Sequence, residues 1–254
     1  MFGAKTRKIE RLDFILAGAQ KSGTTALHYF LAAHPKITMG DQQEMHFFDD
    51  DAMFADSVDY EQLHKHYPRL APSIIAGDCT PSYIYYEPAA ERIWQYNRKI
   101  KLLVLLRNPV ERAFSAWNME TKRGAEHLSF EKAVEQEAAR CREALPLQHR
   151  VFSYIDRGFY AHQVRRLFNI FAEDNCLVLL NEELRTEHEK ALRKVFKFLK
   201  VKSDFIPPEA SVFEQDYDQE INSELRSKLM DMFYYDIKEL ERLLHRDLSS
   251  WYAR

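Results

Sequence analysis

Four short apolar runs divide the chain and predict its strands. They are FILAGA (14–19), SIIAGD (73–78), KLLVLLR (101–107) and NCLVLLN (175–181). The runs do not alternate with polar residues, and turn or polar residues bound each of them, which is typical of strands buried on both faces of a parallel sheet. The pattern therefore predicts four parallel strands that helices cover on both sides.

Helical periodicity fills the intervals between these runs. Apolar residues recur at helical spacing over 24–33, and this pattern stops at His34-Pro35. After the third run, Asn108 is the predicted N-cap of a helix, Pro109 fits its first position, and Glu111 completes a capping-box pattern. Further helices are predicted from Ser129 to about Ala144, over 160–173, over 187–199, and from Asn222 to Leu244.

This alternation of strands and helices predicts the architecture. Right-handed β-α-β units build an α/β fold, here a three-layer sandwich with a central parallel sheet. The chain has 254 residues and no evident linker, so residues 1–254 are predicted to form a single domain. Because ligands bind at the carboxyl ends of the strands in such sheets, the polar residues after each run are the first candidates for a site.

Composition narrows the class of protein. With 46% hydrophobic and 30% charged residues and a net charge of -3, the chain reads as a soluble globular protein and not as a dedicated nucleic-acid binder. No apolar stretch approaches the roughly 18 residues of a membrane span, and the N-terminal run is too short for the core of a signal peptide. Cys79, Cys141 and Cys176 show neither disulfide nor metal-ligand spacing. We expect a cytoplasmic protein that binds no metal, nucleic acid or membrane, although an excised lumenal domain of an anchored protein would show the same pattern.

The stretch GAQKSGTTALHYFLAAHP (18–35) follows the first predicted strand and has features of a phosphate-binding loop. Gly18 and Gly23 have the spacing of a Walker A motif, but Thr24 stands where that motif has its lysine, and the lysine of this loop is Lys21. A glycine-containing loop that opens a helix points unpaired amides and the helix dipole at an anion. The loop therefore predicts a P-loop-like site for a phosphate-bearing ligand that differs from Mg-ATP.

Several segments, in the right order, resemble sulfotransferases that use 3′-phosphoadenosine 5′-phosphosulfate (PAPS), a family that includes bacterial small-molecule sulfotransferases. AQKSGTTALHYFLAAHPKI resembles the 5′-phosphosulfate loop of that family, and KLLVLLRNPVERAFSAW resembles its 3′-phosphate motif. EMHFFDD and DCTPSYIYY resemble segments of the branch that contains the heparan sulfate sulfotransferases. RGFYAHQVRRLF, VLLNEELRTEHEKALRKVFKFL and LLHRDLSSW also follow the family pattern, so the resemblance runs piecewise from residue 14 to residue 251.

The resemblance implies PAPS as the donor of the sulfuryl group, adenosine 3′,5′-bisphosphate (PAP) as the product, and no metal. The predicted ligands of the 5′-phosphosulfate are Lys21, Ser22, Gly23, Thr24 and Thr25. The predicted ligands of the 3′-phosphate are Arg107 and Ser115. The chemistry agrees, because loop amides and hydroxyls suit one anionic group and a bidentate guanidinium suits the other.

The same resemblance assigns the catalytic residues. Glu44 of EMHFFDD matches the general base that takes the proton of the acceptor, and His46 matches a histidine that lines the site. Lys21 would stabilise the charge that develops on the departing phosphate. If Glu44 were not the base, a neutral His46 would be the first alternative. Asp49 is a possible acceptor contact, and Phe47-Phe48 are predicted to pack in the core.

The acceptor is predicted from charge. Eight acidic residues and no lysine or arginine lie between Asp41 and Glu61. A polyanionic sugar chain would need a cationic cleft, so a small neutral or cationic acceptor with a hydroxyl or amine is predicted, with YIYY (83–86) forming an apolar wall. A solvated run of charges explains the composition equally well.

Two features depart from the heparan branch. Cys79 stands where that branch has a lysine before Thr-Pro, and PPEASVFEQDYDQE (207–220) lacks its Lys-Gly-Arg-type cofactor loop, for which Arg157 is a candidate replacement. The spacing of His64 and His66 would suit a metal, but an exposed helix face is the preferred prediction.

Two other functions stay open. A nucleotide kinase-like phosphotransferase would need a metal-binding acid, which Asp78 could supply. A non-catalytic nucleotide-binding module would have no need of Glu44.

Overall fold

The chain folds around a five-stranded sheet. The structure is a computed structural model that describes residues 6–202, 204–208 and 220–253. Its strands are β1 (Phe14–Gly18), β2 (Ile37–Thr38), β3 (Ile75–Cys79), β4 (Lys101–Leu106) and β5 (Cys176–Leu180). Every pairing is parallel, and the strand order is β2-β3-β1-β4-β5. The four predicted strands and the parallel sheet are confirmed, while the two-residue edge strand β2 is too short to produce a sequence pattern.

Helices connect the strands and flank the sheet. Within the described residues they are α1 (Thr24–Ala33), α2 (Glu61–His64), α3 (Glu87–Tyr96), α4 (Pro109–Lys122), α5 (Phe130–Arg142), α6 (Tyr160–Ile170), α7 (Asn181–Thr186), α8 (His188–Leu199), α9 (Ser223–Leu244) and α10 (Ser249–Tyr252). The six predicted helices correspond to α1, α4, α5, α6, α8 and α9. The sequence patterns did not predict α3 or the short helices α7 and α10, and they indicated α2 only as a helix face at His64 and His66.

Alternate strand residues pack into two separate cores, as expected for a sheet covered on both faces. Leu16, Leu103 and Leu105 face α1 and α8, together with Leu27 and Phe196 of those helices. The neighbouring strand residues face a larger core to which α3, α4, α6 and α9 contribute. The predicted three-layer α/β sandwich is therefore confirmed.

The order of the strands places a crevice at the end of β1. The chain leaves β1 for β2 and β3 on one side and then reaches β4 and β5 on the other. Ligands bind at such a switch point, outside the carboxyl ends of the strands. The loops that follow β1 and β4 are therefore adjacent at this edge. None of the helices in the described ranges is long and apolar enough to cross a membrane.

The histidine pair at the end of α2 corrects one prediction. His64 is buried, not exposed, and its Nε2 lies 2.9 Å from the Tyr96 hydroxyl of α3. The contact joins residues that are far apart in sequence, so no local pattern reveals it. His66 lies with its Nδ1 2.8 Å from the Asp41 carboxylate. In the part of the chain that the structure describes, no group of three His, Cys, Asp or Glu side chains could hold a metal ion.

Candidate active site

The loop between β1 and α1 is held from two sides. Its Ala19 N–H donates to the Leu105 carbonyl of β4 at 2.8 Å. On the other side, the Asn181 side chain, which follows β5, donates to the Ser22 carbonyl at 2.9 Å. Gly23 has φ +94°, and a Cβ there would lie 2.5 Å from Asn181 Nδ2. Both the backbone conformation and the contact with Asn181 therefore require glycine at position 23.

Polar groups gather at this loop. Ser22 is fully buried, and its hydroxyl has no hydrogen-bond partner among the described residues. Thr24 is also buried and begins α1, with Thr25 next to it and no acidic residue in the first turn. A ten-residue helix that opens here presents unpaired N–H groups and its positive dipole end. The loop has the composition and geometry of an anion site.

The second set of predicted cofactor residues follows β4. Asn108 caps α4, as predicted, since its side chain accepts from the N–H groups of Val110 and Glu111. The Glu111 carboxylate lies 3.8 Å from the guanidinium of Arg107. Ser115 lies on α4 and is buried. Arg107 thus lies in the turn between β4 and α4, at the same edge of the sheet as the loop, while Ser115 lies further along α4.

Lys21 lies among both cations and carboxylates. Burial lowers its pKa first, and the guanidinium groups of Arg123 and Arg107 lower it further, while Glu44 and Glu120 act in the opposite direction. Both arginines therefore act electrostatically on the same ammonium group. Lys21 is thus coupled to the residues that flank α4 and to the predicted base.

Two further residues of this region were not predicted. Arg123 lies at the end of α4, largely exposed, with its guanidinium 3.2 Å from the buried Glu120 carboxylate. His28 lies on α1 four residues after Thr24, and burial lowers its pKa while Glu44 opposes the shift. Helical spacing from Thr24 could have drawn attention to His28. No sequence spacing links Arg123 to the loop.

The predicted catalytic residues Glu44 and His46 form a chain of contacts with Asp49. His46 Nε2 lies 3.5 Å from the Glu44 carboxylate, and its Nδ1 lies 2.9 Å from Asp49 Oδ2. The Ser82 hydroxyl then donates to Asp49 Oδ2 at 2.5 Å. Hydrogen bonds to Asp49 and to Glu44 raise the pKa of His46 to about 9. The shift therefore favours the imidazolium form near neutral pH, which argues against His46 as the base while Glu44 is present.

The backbone of this segment is unusual at both residues. Glu44 has φ +53° and His46 has φ +51°, the left-handed region that side chains other than glycine rarely adopt. Such conformations cost about 1–3 kcal/mol each and persist where the surroundings enforce them, often at active sites. Both side chains remain about half exposed, so they face solvent at the edge of the crevice.

Contacts from distant parts of the chain hold the segment. The Tyr83 hydroxyl accepts from the N–H groups of Phe47 and Phe48, whose rings are buried as predicted. Arg92 of α3 donates to the Phe48 carbonyl at 3.0 Å, and Arg150 donates to the Asp49 carbonyl. Backbone N–H and carbonyl groups of this irregular segment thus form hydrogen bonds with side chains instead of with a neighbouring strand.

The comparisons with known proteins agree with this geometry. The family model described as the sulfotransferase domain matches residues 11–230. The chain belongs to the sulfotransferase domain family. A solved structure of a sulfotransferase from Alicyclobacillus acidocaldarius has a TM-score of 0.81 and 30% identity, and the match covers 96% of this chain and 100% of that one.

Curated relatives are sulfotransferases as well. The chain is 28% identical over 204 residues to heparan sulfate glucosamine 3-O-sulfotransferase 5 of Mus musculus, covering 78% of this chain and 55% of that protein. It is 33% identical over 133 residues to the membrane-associated sulfotransferase kil1 of Dictyostelium discoideum, covering 50% of this chain and 28% of that protein. The chain thus spans about half, or less, of the length of these relatives.

The structure shows what surrounds the residues at the two departures from the heparan branch. Cys79 is buried, with its thiol 4.0 Å from the Thr24 carbonyl, so no cation replaces the lysine at that position. Arg157 is buried under Tyr85, 4.3 Å from the ring centroid, and donates to Ser153 and to the Arg150 carbonyl. Arg157 therefore makes these hydrogen bonds inside the protein. Most of the segment 207–220 lies outside the described residues.

Two predictions about the acceptor side differ from the structure. YIYY does not form an exposed apolar wall, because all four side chains are at most 5% exposed, and Tyr86 donates its hydroxyl to Asp51. Most of the carboxylates have partners within the protein. These pairs include Asp51 with Arg92, Asp41 with His66, Glu61 with Lys8 and Asp49 with His46. The run therefore carries less charge toward the crevice than its composition indicated.

Proposed function

We propose that this sulfotransferase moves the sulfuryl group of PAPS to a hydroxyl or amine of a small, neutral or cationic acceptor, with residues 1–254 acting as one domain. The observation that carries the proposal is the electrostatic environment of Lys21. Burial and the guanidinium groups of Arg123 and Arg107 lower the pKa of its ammonium group, whereas the carboxylates of Glu44 and Glu120 raise it. Cations suit an anionic donor of the sulfuryl group, and a carboxylate suits an acceptor that must lose a proton.

The donor would bind at the two sites after β1 and β4. The amides of the loop, the buried Ser22 hydroxyl, Thr24 and Thr25 suit the 5′-phosphosulfate. Arg107 suits the 3′-phosphate because a guanidinium can bind it in a bidentate manner, with Ser115 as an added donor. Arg123 would supply the cation that Cys79 does not, since its guanidinium acts electrostatically on the ammonium group of Lys21.

Glu44 would act as the base in an in-line displacement. Its carboxylate takes the proton of the acceptor while the acceptor oxygen or nitrogen forms its bond to sulfur. The bond between sulfur and the bridging oxygen breaks, and the electron pair stays on the 5′-phosphate of PAP. Lys21 stabilises the charge that develops on that phosphate, and His46, whose Nε2 lies 3.5 Å from the Glu44 carboxylate, orients Glu44.

One observation disfavours the kinase alternative. Asp78, its candidate metal ligand, is buried, and its carboxylate accepts from the Thr80 hydroxyl at 3.1 Å. Burial raises the pKa of Asp78 to about 6. The Asp78 carboxylate thus binds the Thr80 hydroxyl beneath the surface and does not face a nucleotide.

The test of the proposal is a comparison of nucleotides by calorimetry in the presence of a chelator. We expect PAP and PAPS to bind at least tenfold more tightly than ATP. A second arm supplies magnesium with ATP, and tighter binding of Mg-ATP than of PAP would contradict the proposal. Labelled PAPS with a panel of small alcohols and amines then tests transfer itself.

A further inference from the structure

The segment that follows β3 is seated against the strand that carries the phosphosulfate loop. Thr80 N–H donates to the Leu16 carbonyl at 3.2 Å, and Ile84 N–H donates to the Ala17 carbonyl at 2.9 Å. The contact is close, because a Cβ on Gly18 would lie 2.2 Å from Cγ2 of Ile84. Residues 80–84 therefore keep a fixed position relative to the end of β1.

Ser82 lies in the middle of this segment and reaches the predicted catalytic residues. Its hydroxyl donates to Asp49 Oδ2 at 2.5 Å, and Asp49 is 2% exposed. The same carboxylate faces His46 Nδ1 at 2.9 Å, and His46 Nε2 lies 3.5 Å from Glu44. An unbroken series of polar contacts thus runs from the seated segment to the Glu44 carboxylate.

The geometry of Asp49 depends on its two donors. A buried carboxylate is costly unless hydrogen bonds satisfy it, and His46 and Ser82 both bind Asp49 Oδ2. Of these two, His46 belongs to the strained, half-exposed segment, whereas Ser82 belongs to the segment fixed on β1. Ser82 is therefore the fixed point from which Asp49 and His46 take their orientation.

We propose that Ser82 is a positioning residue for sulfuryl transfer, which sets through Asp49 and His46 where Glu44 stands relative to the phosphosulfate loop. This inference rests on the proposed function, in which Glu44 is the base. Misplacing a reacting group by about 1 Å can lower a rate by on the order of 10²-fold. The donor nucleotide does not depend on this series of contacts, so its affinity should not respond.

The first experiment compares Ser82→Ala and Ser82→Thr with the wild type. We expect kcat to fall about 10- to 100-fold in Ser82→Ala, with an unchanged Kd for PAP, and to recover in Ser82→Thr, which keeps the hydroxyl. Ser153→Ala is the matched control. Its hydroxyl also makes two hydrogen bonds, to Arg157 and to the His149 carbonyl, but none to this series. It should leave kcat near the wild-type value.

A double-mutant cycle distinguishes positioning from a general loss of structure. The Ser82 hydroxyl also lies 3.5 Å from His46 Nδ1, a longer contact than its 2.5 Å bond to Asp49. If Ser82 acts mainly through Asp49, Ser82→Ala should slow the Asp49→Ala enzyme by less than twofold. Independent, multiplicative losses would overturn the inference, and so would full activity of Ser82→Ala. A wild type that transfers no sulfuryl group would instead refute the proposed function. In that case NMR of the His46 ring still tests the contact series, since an unaltered His46 signal in Ser82→Ala would refute it.

Discussion

The donor side and the acceptor side of the crevice are built in different ways. On the donor side, the groups stand at the ends of regular elements: the loop joins β1 to α1, and Arg107 joins β4 to α4. On the acceptor side, Glu44 and His46 lie on irregular backbone that Tyr83, Arg92 and Arg150 hold from distant positions. In the proposed function, main-chain geometry would therefore place the donor, whereas side chains would place the base.

The difference has a functional consequence. A site built from the ends of strands and helices keeps its form when one side chain changes, so each donor contact can be removed singly. A base held by a series of side chains depends on every member of that series. Rate and donor affinity should therefore respond to different sets of substitutions.

The largest expected effect is on the acceptor side. Glu44→Gln keeps the shape of the side chain and removes its capacity to accept a proton, so the transfer rate should fall about 10²- to 10⁴-fold. Affinity for PAP should stay near the wild-type value. Rates with labelled PAPS and calorimetry with PAP measure the two quantities separately.

Lys21→Ala is the contrasting variant for Glu44→Gln. It removes the cation that meets the phosphosulfate, so both the rate and the donor affinity should fall. If Glu44→Gln turned over acceptor at close to the normal rate, the base would have to be another residue. His46 would then be the first candidate, because Glu44→Gln removes one of the two side-chain hydrogen bonds that raise the pKa of His46.

The next effect is on the donor side. Arg107→Ala removes a charge-assisted contact worth about 1.5–3 kcal/mol, so PAP should bind roughly 10- to 150-fold more weakly. Adenosine 5′-phosphosulfate, which has no 3′-phosphate, should bind almost as before. Calorimetry with the two nucleotides provides the comparison, and equal losses for both would remove Arg107 from the 3′-phosphate site.

The smallest effect concerns pH and the His46 contacts. The folded pKa of His46, about 9, lies above the ordinary value of 6.5, so its contacts stabilise the fold fully below about pH 6.5. This stabilisation is lost as the pH rises through about 9. Because His46 is 46% exposed, solvent screening reduces the expected contribution to about 1 kcal/mol.

Chemical denaturation of the wild type and of His46→Gln near pH 6 and near pH 10 tests this expectation. The difference in the free energy of unfolding between the two proteins should shrink at the higher pH by about 1 kcal/mol. A difference that stays constant with pH would show that the carboxylates of Glu44 and Asp49 do not hold the proton on His46.

The sequence predicted the donor side better than the acceptor side, for a physical reason. Strand periodicity and the glycine spacing of the loop are local, so β1, β4 and the capped start of α4 could be placed from the sequence. The roles of Lys21, Arg107 and Glu44 came from family resemblance and stay predictions. The structure adds that Arg107 and Glu44 both affect the pKa of Lys21.

The remaining contacts join residues that are far apart in the chain. Arg92 meets the Phe48 carbonyl across 44 positions, and Asn181 meets the Ser22 carbonyl across 159. An arginine or asparagine that donates to a backbone carbonyl leaves no periodic pattern. His64 was wrongly predicted to be exposed for the same reason, since the Tyr96 hydroxyl that covers it belongs to a later helix.

The left-handed backbone at Glu44 and His46 also has a consequence for how such a chain evolves. Glycine would adopt both conformations at lower cost, so replacement by glycine would relieve strain on the order of 1 kcal/mol per position. Selection for heat tolerance alone would therefore favour the loss of a side chain wherever its contacts stabilise the fold by less than this strain. If glutamate and histidine serve the proposed chemistry here, a library evolved only for robustness should lose the acceptor side before the donor side.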